Sequence, residues 1–477
     1  MEIIQTDTLI IGGGAAGLNA ALNLNKSKVT LVEKGGSNSV ISPWNLMIKP
    51  EEEIREKIIK NGHQMSDPKI VDAFLKEYSR SVEDLKEMGI DLRRSNIGMV
   101  PRYSFPGSEV RKIFIEKLKD KNTNFLQGEI VKFLLNENGS IVGAEFSPTS
   151  SSTRVRIFFN FLILASGGLG GFFDHKTGSS DSDGSILALS FEAGSQLRDM
   201  EFFMFHPFLI VDKRLPRALI SGDILAKMEY IDENGNNFLS EKVSQALKNN
   251  EHHHIFHEMT KEFYLQSLKS KIFGKLTCSH QWFEKYKMEN EFGYVFQNFT
   301  KSELDQIEIY PAFHFSIGGL VIDENGQTNQ ENVYAAGEIT GGLHGGNRIG
   351  GLAILEALIF GKRAALSINK REVKEVQVPD EIRELGDLGI SKEIKNKVWR
   401  SLGPIKRKDE LEELKKLLSS KTNLTSQERL LSKIVEICLL RKESVGLFYR
   451  EDLPSAETAE PSFLIDGNIY FGNEEQR

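Results

Sequence analysis

A short unbroken apolar run, Thr8-Leu9-Ile10-Ile11, opens the chain, and a second, Val29-Thr30-Leu31-Val32, follows it. Runs without alternation predict strands buried on both faces, as in a parallel sheet. Between them Ala15 to Asn25 is rich in Ala and Leu and predicts a helix. Residues 51–95 are charged with helical spacing. Residues 123–165 predict strands: "NFLQGEIVKFLL", a turn at "NENGS", "IVGAEF", then "RVRIFFNFLILAS" running into "GGLGG". Residues 185–310 lose this pattern, so an insertion is expected there. "GGLVIDENGQT" and "NVYAAGE" return to short strands, and "LAILEALIFGKRAALSI" predicts an apolar helix. Charged helices, "RKDELEELKKLLSS" and "QERLLSKIVEICLLRKES", fill the C-terminal part.

The patterning gives an α/β protein with an α+β insertion. Four segments are expected: 1–195, the first part of a Rossmann-like nucleotide domain; 196–310, an inserted domain; 311–370, the second part of the nucleotide domain; and 371–477, a helical domain. A ligand cleft belongs where insertion and nucleotide domain meet.

Between the first strand and the first helix stands Gly12-x-Gly14-x-x-Gly17, and Glu33 closes the second strand. In that setting the glycines allow a tight turn, close approach to a pyrophosphate and close helix packing. The helix N-terminus favours phosphate charge, and Glu33 is positioned to accept from a ribose. A dinucleotide site follows, NAD or FAD. One such fingerprint argues against an enzyme with two dinucleotide sites.

Composition narrows the partners. Among 477 residues, 60 basic and 67 acidic side chains leave a net charge of −7. Nothing electrostatic there calls for nucleic acid. No apolar run is long enough for a membrane span. Cys278 and Cys438 stand far apart, too few to hold an iron–sulfur cluster, and a cytoplasmic protein is expected. His252-His253-His254 with His257 sits in a polar stretch, "NNEHHHIFHEM", and reads as solvated surface; no metal is expected.

Longer motifs add a resemblance. "IIGGGAAGLNAAL", "ILASGGLGG", "AGSQLRDMEFFMFHPF", "FHFSIGGLVID", "NVYAAGEITGGLHGGNRIGGLAILEALIFGKRAA", "VWRSLGPIKRKDEL" and "RKESVGLFYREDLP" occur in order. In these the chain resembles the flavoproteins of the fumarate reductase, succinate dehydrogenase and L-aspartate oxidase family. The resemblance implies an FAD domain, a capping domain over the substrate and a C-terminal three-helix domain. It implies that Gly12, Gly14, Gly17 and Glu33 hold the ADP half of FAD, with Ala15, Ala16 and Lys34 also binding the cofactor. Ser37, Asn38, Ser39, Ala165, Gly167, Gly337, Glu338, Ile354 and Leu355 would serve the rest of the cofactor. "KGGSNSVISPWNLM" contains no histidine, so FAD should be noncovalent. His206, His314 and Arg348 match the family's substrate and catalytic residues, with Ser221 beside them. Arg348 offers a planar fork for a carboxylate, and two histidines can donate to the other. Trp44 either walls the flavin or simply packs, and His344 is a neighbour of Arg348. The glycines of "GGLHGGNRIGG" would let backbone approach the flavin.

The chain departs from this pattern at the proton relay. Gly222 and Leu225 stand where the family's fumarate and succinate members carry Glu and Arg, and Ser240-Glu241 stand for Arg-Asp. Lys227, Glu241 or Arg217 could supply the proton; the substrate could need another proton path; or the protein could bind FAD and a carboxylate without fast turnover. The functions implied are an FAD oxidoreductase (CH–CH or CH–NH2 donor) acting on a C4-dicarboxylate, L-aspartate oxidase, or a flavin-binding electron-transfer subunit whose partner carries an iron–sulfur or other redox centre.

Overall fold

The computed structural model describes residues 2–25, 28–41, 43–47, 49–90, 93–95, 102–220, 222–249, 255–290 and 293–472. Its parallel sheet runs Val333–Ala335, Val155–Leu164, Glu2–Ile11, Val29–Glu33 and Thr123–Leu135. Leu9, Ile10, Leu31, Leu162, Ile163 and Leu164 are fully buried in it. These are the unbroken apolar runs, because helices and the rest of the chain cover both faces. Ile141–Pro148 bridges the far halves of Thr123–Leu135 and Val155–Leu164 as an antiparallel strand. The helices Ala15–Asn23 and Ala353–Ile368 pack closely because Gly361 meets the Ala16 carbonyl.

The first strand is longer than its apolar run. Glu2 to Gln5 pair with Val155 to Phe158 although that stretch is partly exposed. Residues 51–95 hold two helices, Glu51–Asn61 and Pro68–Glu87. His63 and Gln64 take positive φ between them, and Asp67 caps the second helix by accepting from the Lys69 and Ile70 N–H groups.

The insertion forms a separate antiparallel sheet, Phe203–Ile210, Gln306–Ser316, Ile272–Leu276 and Met228–Asp232 in spatial order. Its own core gathers Phe208, Tyr230, Phe263, Ile272 and Ile309. Three C-terminal helices follow, Lys392–Leu402, Lys408–Ser420 and Ser426–Leu440. The chain then adds a hairpin, Ser462–Ile465 and Asn468–Phe471, to Leu197–Arg198. At that junction the fully buried Arg441 bonds Glu201 (2.7 Å from Nε). Among the described residues no helix is long and apolar enough to cross a membrane. Cys278 and Cys438 are free and buried.

Candidate active site

One cavity of about 880 Å³ runs from the first glycine turn, along the end of the parallel sheet, to the insertion's sheet. Gly12 (φ +118°) begins it, and a Cβ there would run into the Ala165 carbonyl. Gly14, Ala15 and Ala16 line the wall. Gly17 does not; it abuts the Gly12 carbonyl. The Ala15 N–H donates to Ser39 Oγ (3.0 Å). Glu33 lies at the same end, its carboxylate forked by Arg111 Nη2 (2.7 and 2.9 Å), while Arg111 Nη1 donates to the Gly13 carbonyl. Arg111 carries no local signal in the sequence: it comes from the helix Gly107–Leu118, and only tertiary structure joins it to Glu33. Lys34 pairs with Glu129 (2.6 Å) and Asp183 (2.8 Å).

The middle of the cavity is polar and buried. Asn38 Nδ2 donates to Glu338 Oε2 (3.3 Å), and the Ser316 N–H donates to Glu338 Oε1 (3.0 Å). Burial pushes the Glu338 carboxyl up to about 7. Ser37, Ala165, Gly167, Gly337 and Ile354 line this stretch; Leu355 is fully buried in the core and is absent from the wall. Trp44 packs on Phe114 (6.2 Å between ring centroids), and its indole N–H bonds the Ser39 carbonyl (2.6 Å). It too is absent from the wall. Asn45 Oδ1, on the wall, is buried with no partner among the described residues. A phosphate-sized approach at Gly12, an acid for a ribose and an orphan acceptor further along together fit FAD.

The far end gathers His206, His314 and Arg348. His206 lies where Pro207 supplies no N–H and the pairing register shifts. Its Nδ1 accepts from the Phe208 N–H (3.2 Å), so Nε2 carries the proton. His314 falls between the paired Phe313 and Phe315, at a second register shift. The two rings stand 5.8 Å apart. His314 Nδ1 shares a hydrogen bond with Thr177 Oγ1 (2.7 Å). Burial, and then the Arg348 charge, depress His314 to about 3. Arg348 lies over the Phe315 ring (4.3 Å).

The loop carrying Arg348 is held from behind. Asn61 Nδ2 donates to the Asn347 carbonyl (2.9 Å), and the Gly346 N–H to the Gly62 carbonyl (2.8 Å). Gly345 (φ +55°) faces that same carbonyl, with no room for a Cβ. Gly345 thus serves contact with another protein segment, whereas Gly350 and Gly351 reach the cavity. His344 is buried on Glu356 (3.0 Å).

The insertion's wall differs from expectation. Lys227 and Glu241 are exposed and do not line the cavity; Arg217 does. Leu225, buried, presents an apolar side chain there. Ser240 caps the helix Glu241–Lys248 and bonds Glu262 (2.6 Å). Ser221 and the triplet His252, His253 and His254 lie outside the described residues. His257, read as solvated surface, instead lines the cavity from the first turn of the helix Phe256–Ser267. Burial first, then Lys261, Lys406 and His63, lower its ring to about 3. The apolar neighbours Ile255 and Phe256, inside an otherwise polar stretch, are the signal the sequence offers for this.

The profile of the FAD binding domain family matches residues 7–354. The chain is 26% identical to a CoM/CoB-type fumarate reductase chain of Methanothermobacter marburgensis, over 95% of each chain. It is 25% identical to an L-aspartate oxidase of Clostridium perfringens, over 80% of this chain and 90% of that one. Its fold matches an E. coli quinol fumarate reductase chain with a TM-score of 0.79 at 16% identity, covering 99% of this chain and 97% of the other.

Proposed function

We propose that this chain, which belongs to the FAD binding domain family and is an FAD-dependent oxidoreductase, interconverts a C4-dicarboxylate of the fumarate and succinate kind using noncovalently held FAD. The carrying observation is the convergence of His206, His314 and Arg348 on one end of the cavity whose other end is the dinucleotide turn. Gly12 and the N-terminus of Ala15–Asn23 receive the pyrophosphate, and Glu33, steadied by Arg111, receives the ribose. When bound, FAD supplies the hydride chemistry. Arg348 forks one substrate carboxylate. His206, with its proton fixed on Nε2, and His314 donate to the other and polarise it.

L-aspartate is the second reading, favoured by the name of the C. perfringens relative. The groups converging on the substrate end are donors and cations, which suit a dianion better than an α-ammonium. Glu258, an acid in that wall, already pairs with Lys242 (3.5 Å). Mixing photoreduced protein anaerobically with fumarate tests the proposal by flavin reoxidation. Bleaching of the oxidised flavin by L-aspartate, with no response to fumarate, selects the second reading. Silence to every C4 acid sinks both.

A further inference from the structure

A C=C to C–C conversion needs a proton as well as a hydride, and the cavity must hold a group that carries it. Leu225 cannot, and Lys227 and Glu241 lie outside the wall. His206 and His314 each commit Nδ1 to a protein partner. His257 is different. It lines the same cavity, next to Phe256, whose ring meets His206 edge-on at 4.9 Å. No described residue gives its ring nitrogens a hydrogen bond. Lys261, four residues on, shares its helix face. The Lys261 ammonium sits 3.4 Å over the Tyr449 ring, and burial lowers it to about 8.

We infer, resting on the dicarboxylate reading above, that His257 transfers the proton of the reaction and that Lys261 replenishes it. In the reductive direction, hydride from the reduced flavin adds to one alkene carbon. The π electron pair forms a C–H bond at the other carbon as a ring N–H bond of His257 breaks. Lys261 then gives a proton to the neutral ring and recovers one from solvent. Oxidation runs the same steps backwards. The groups facing His257 are Lys261 on its own helix, Lys406 before the helix Lys408–Ser420, His63 after the helix Glu51–Asn61, and the neighbouring Glu258. With the cavity empty their net positive field and burial keep the ring neutral at pH 7. A bound dianion favours the imidazolium, so the protonated fraction of the ring rises when the substrate arrives.

The test uses the FAD-loaded protein. His257→Gln should slow reoxidation of the photoreduced flavin by fumarate by about 10²–10⁴-fold, while the Kd for malonate, a non-reducible dicarboxylate, changes less than about threefold. Lys227→Met and Glu241→Gln should keep the rate. Histidine ring NMR, with the His257 signal identified by its loss in His257→Gln, gives a second readout. Saturating malonate should raise the His257 midpoint by more than about one pH unit. A full rate in His257→Gln, or a comparable loss only in Arg217→Gln, overturns the inference, as does a midpoint that malonate leaves unmoved. Should fumarate fail to reoxidise the wild-type flavin, the dicarboxylate reaction falls, and the midpoint still decides whether His257 answers a bound dianion.

Discussion

Replacing Arg348 by Met separates substrate binding from cofactor binding. Met keeps a long apolar side chain over Phe315 and beside Met204, so the wall is filled, but the guanidinium is gone. Arg348 is half-buried in the cavity wall. Removing one partner of such a desolvated, hydrogen-bonded charge pair costs about 2–5 kcal/mol. At 1.4 kcal/mol per tenfold, that predicts a Kd for malonate or succinate raised about 30- to 4,000-fold. The dinucleotide turn and Glu33 lie at the other end of the cavity, so FAD should stay bound with an unchanged ratio of flavin to protein. The same substitution removes a positive charge that holds His314 down, so the His314 midpoint should rise. The assay is titration of the oxidised flavin spectrum with malonate, beside a histidine NMR titration of the unliganded protein. A change in Kd below about threefold would refute the role given to Arg348. Loss of FAD would refute the separation of the two ends.

Gly12→Ala forces a Cβ into the Ala165 carbonyl and should yield folded protein purified without flavin, seen as a lost visible spectrum with near-native circular dichroism. Arg111→Met leaves Glu33 without its fork and should weaken FAD by about 10- to 150-fold, in line with ~1.5–3 kcal/mol for a charged hydrogen bond, read by fluorescence of released FAD. His257 and His314 are both depressed to about 3, so the unfolded chain binds more protons than the folded one between about pH 6.5 and 3. Their contribution is present above pH 6.5 and is lost as pH falls through that window. Glu338, raised to about 7, acts in the opposite sense between about 4.5 and 7. His314→Gln should therefore flatten the fall of Tm on acidification. Arg441→Met strands the buried Glu201 and should cost about 3–5 kcal/mol, most of it recovered in the pair Glu201→Leu/Arg441→Met; denaturant midpoints measure both.

Much of the frame is legible because it is written locally. Unbroken apolar runs and the glycine turn announce a parallel sheet and a dinucleotide turn. The Ser462–Phe471 hairpin also has a local signal, Asp466-Gly467, both at positive φ, although the charged helices before it dominate the pattern of the C-terminal part. The parts not legible are tertiary. Arg111 reaches Glu33 across 78 residues, with no spacing rule to join them. His257 lies in a polar stretch, and only the fold turns its helix end inward. His206 and His314 owe their mutual approach to two register shifts, which period-two patterning does not encode. Gly345 reads as a flavin contact because a glycine required by a neighbouring carbonyl and one required by a cofactor look alike in a sequence.

The cavity's walls have an order in time. Its glycine turn and Glu33 leave the ribosome early, but Arg348 and Ile354 come more than three hundred residues later, and Leu447 of the C-terminal tail closes the wall. At ~5–20 residues per second, the interval between Glu33 and Ile354 is about 15–65 s. During that time a half-built pocket exists whose apolar strand Glu2–Ile11 still lacks its neighbour Val155–Leu164 for part of the wait. The cleft that takes the cofactor is therefore completed late, once the chain beyond Ile354 has been made.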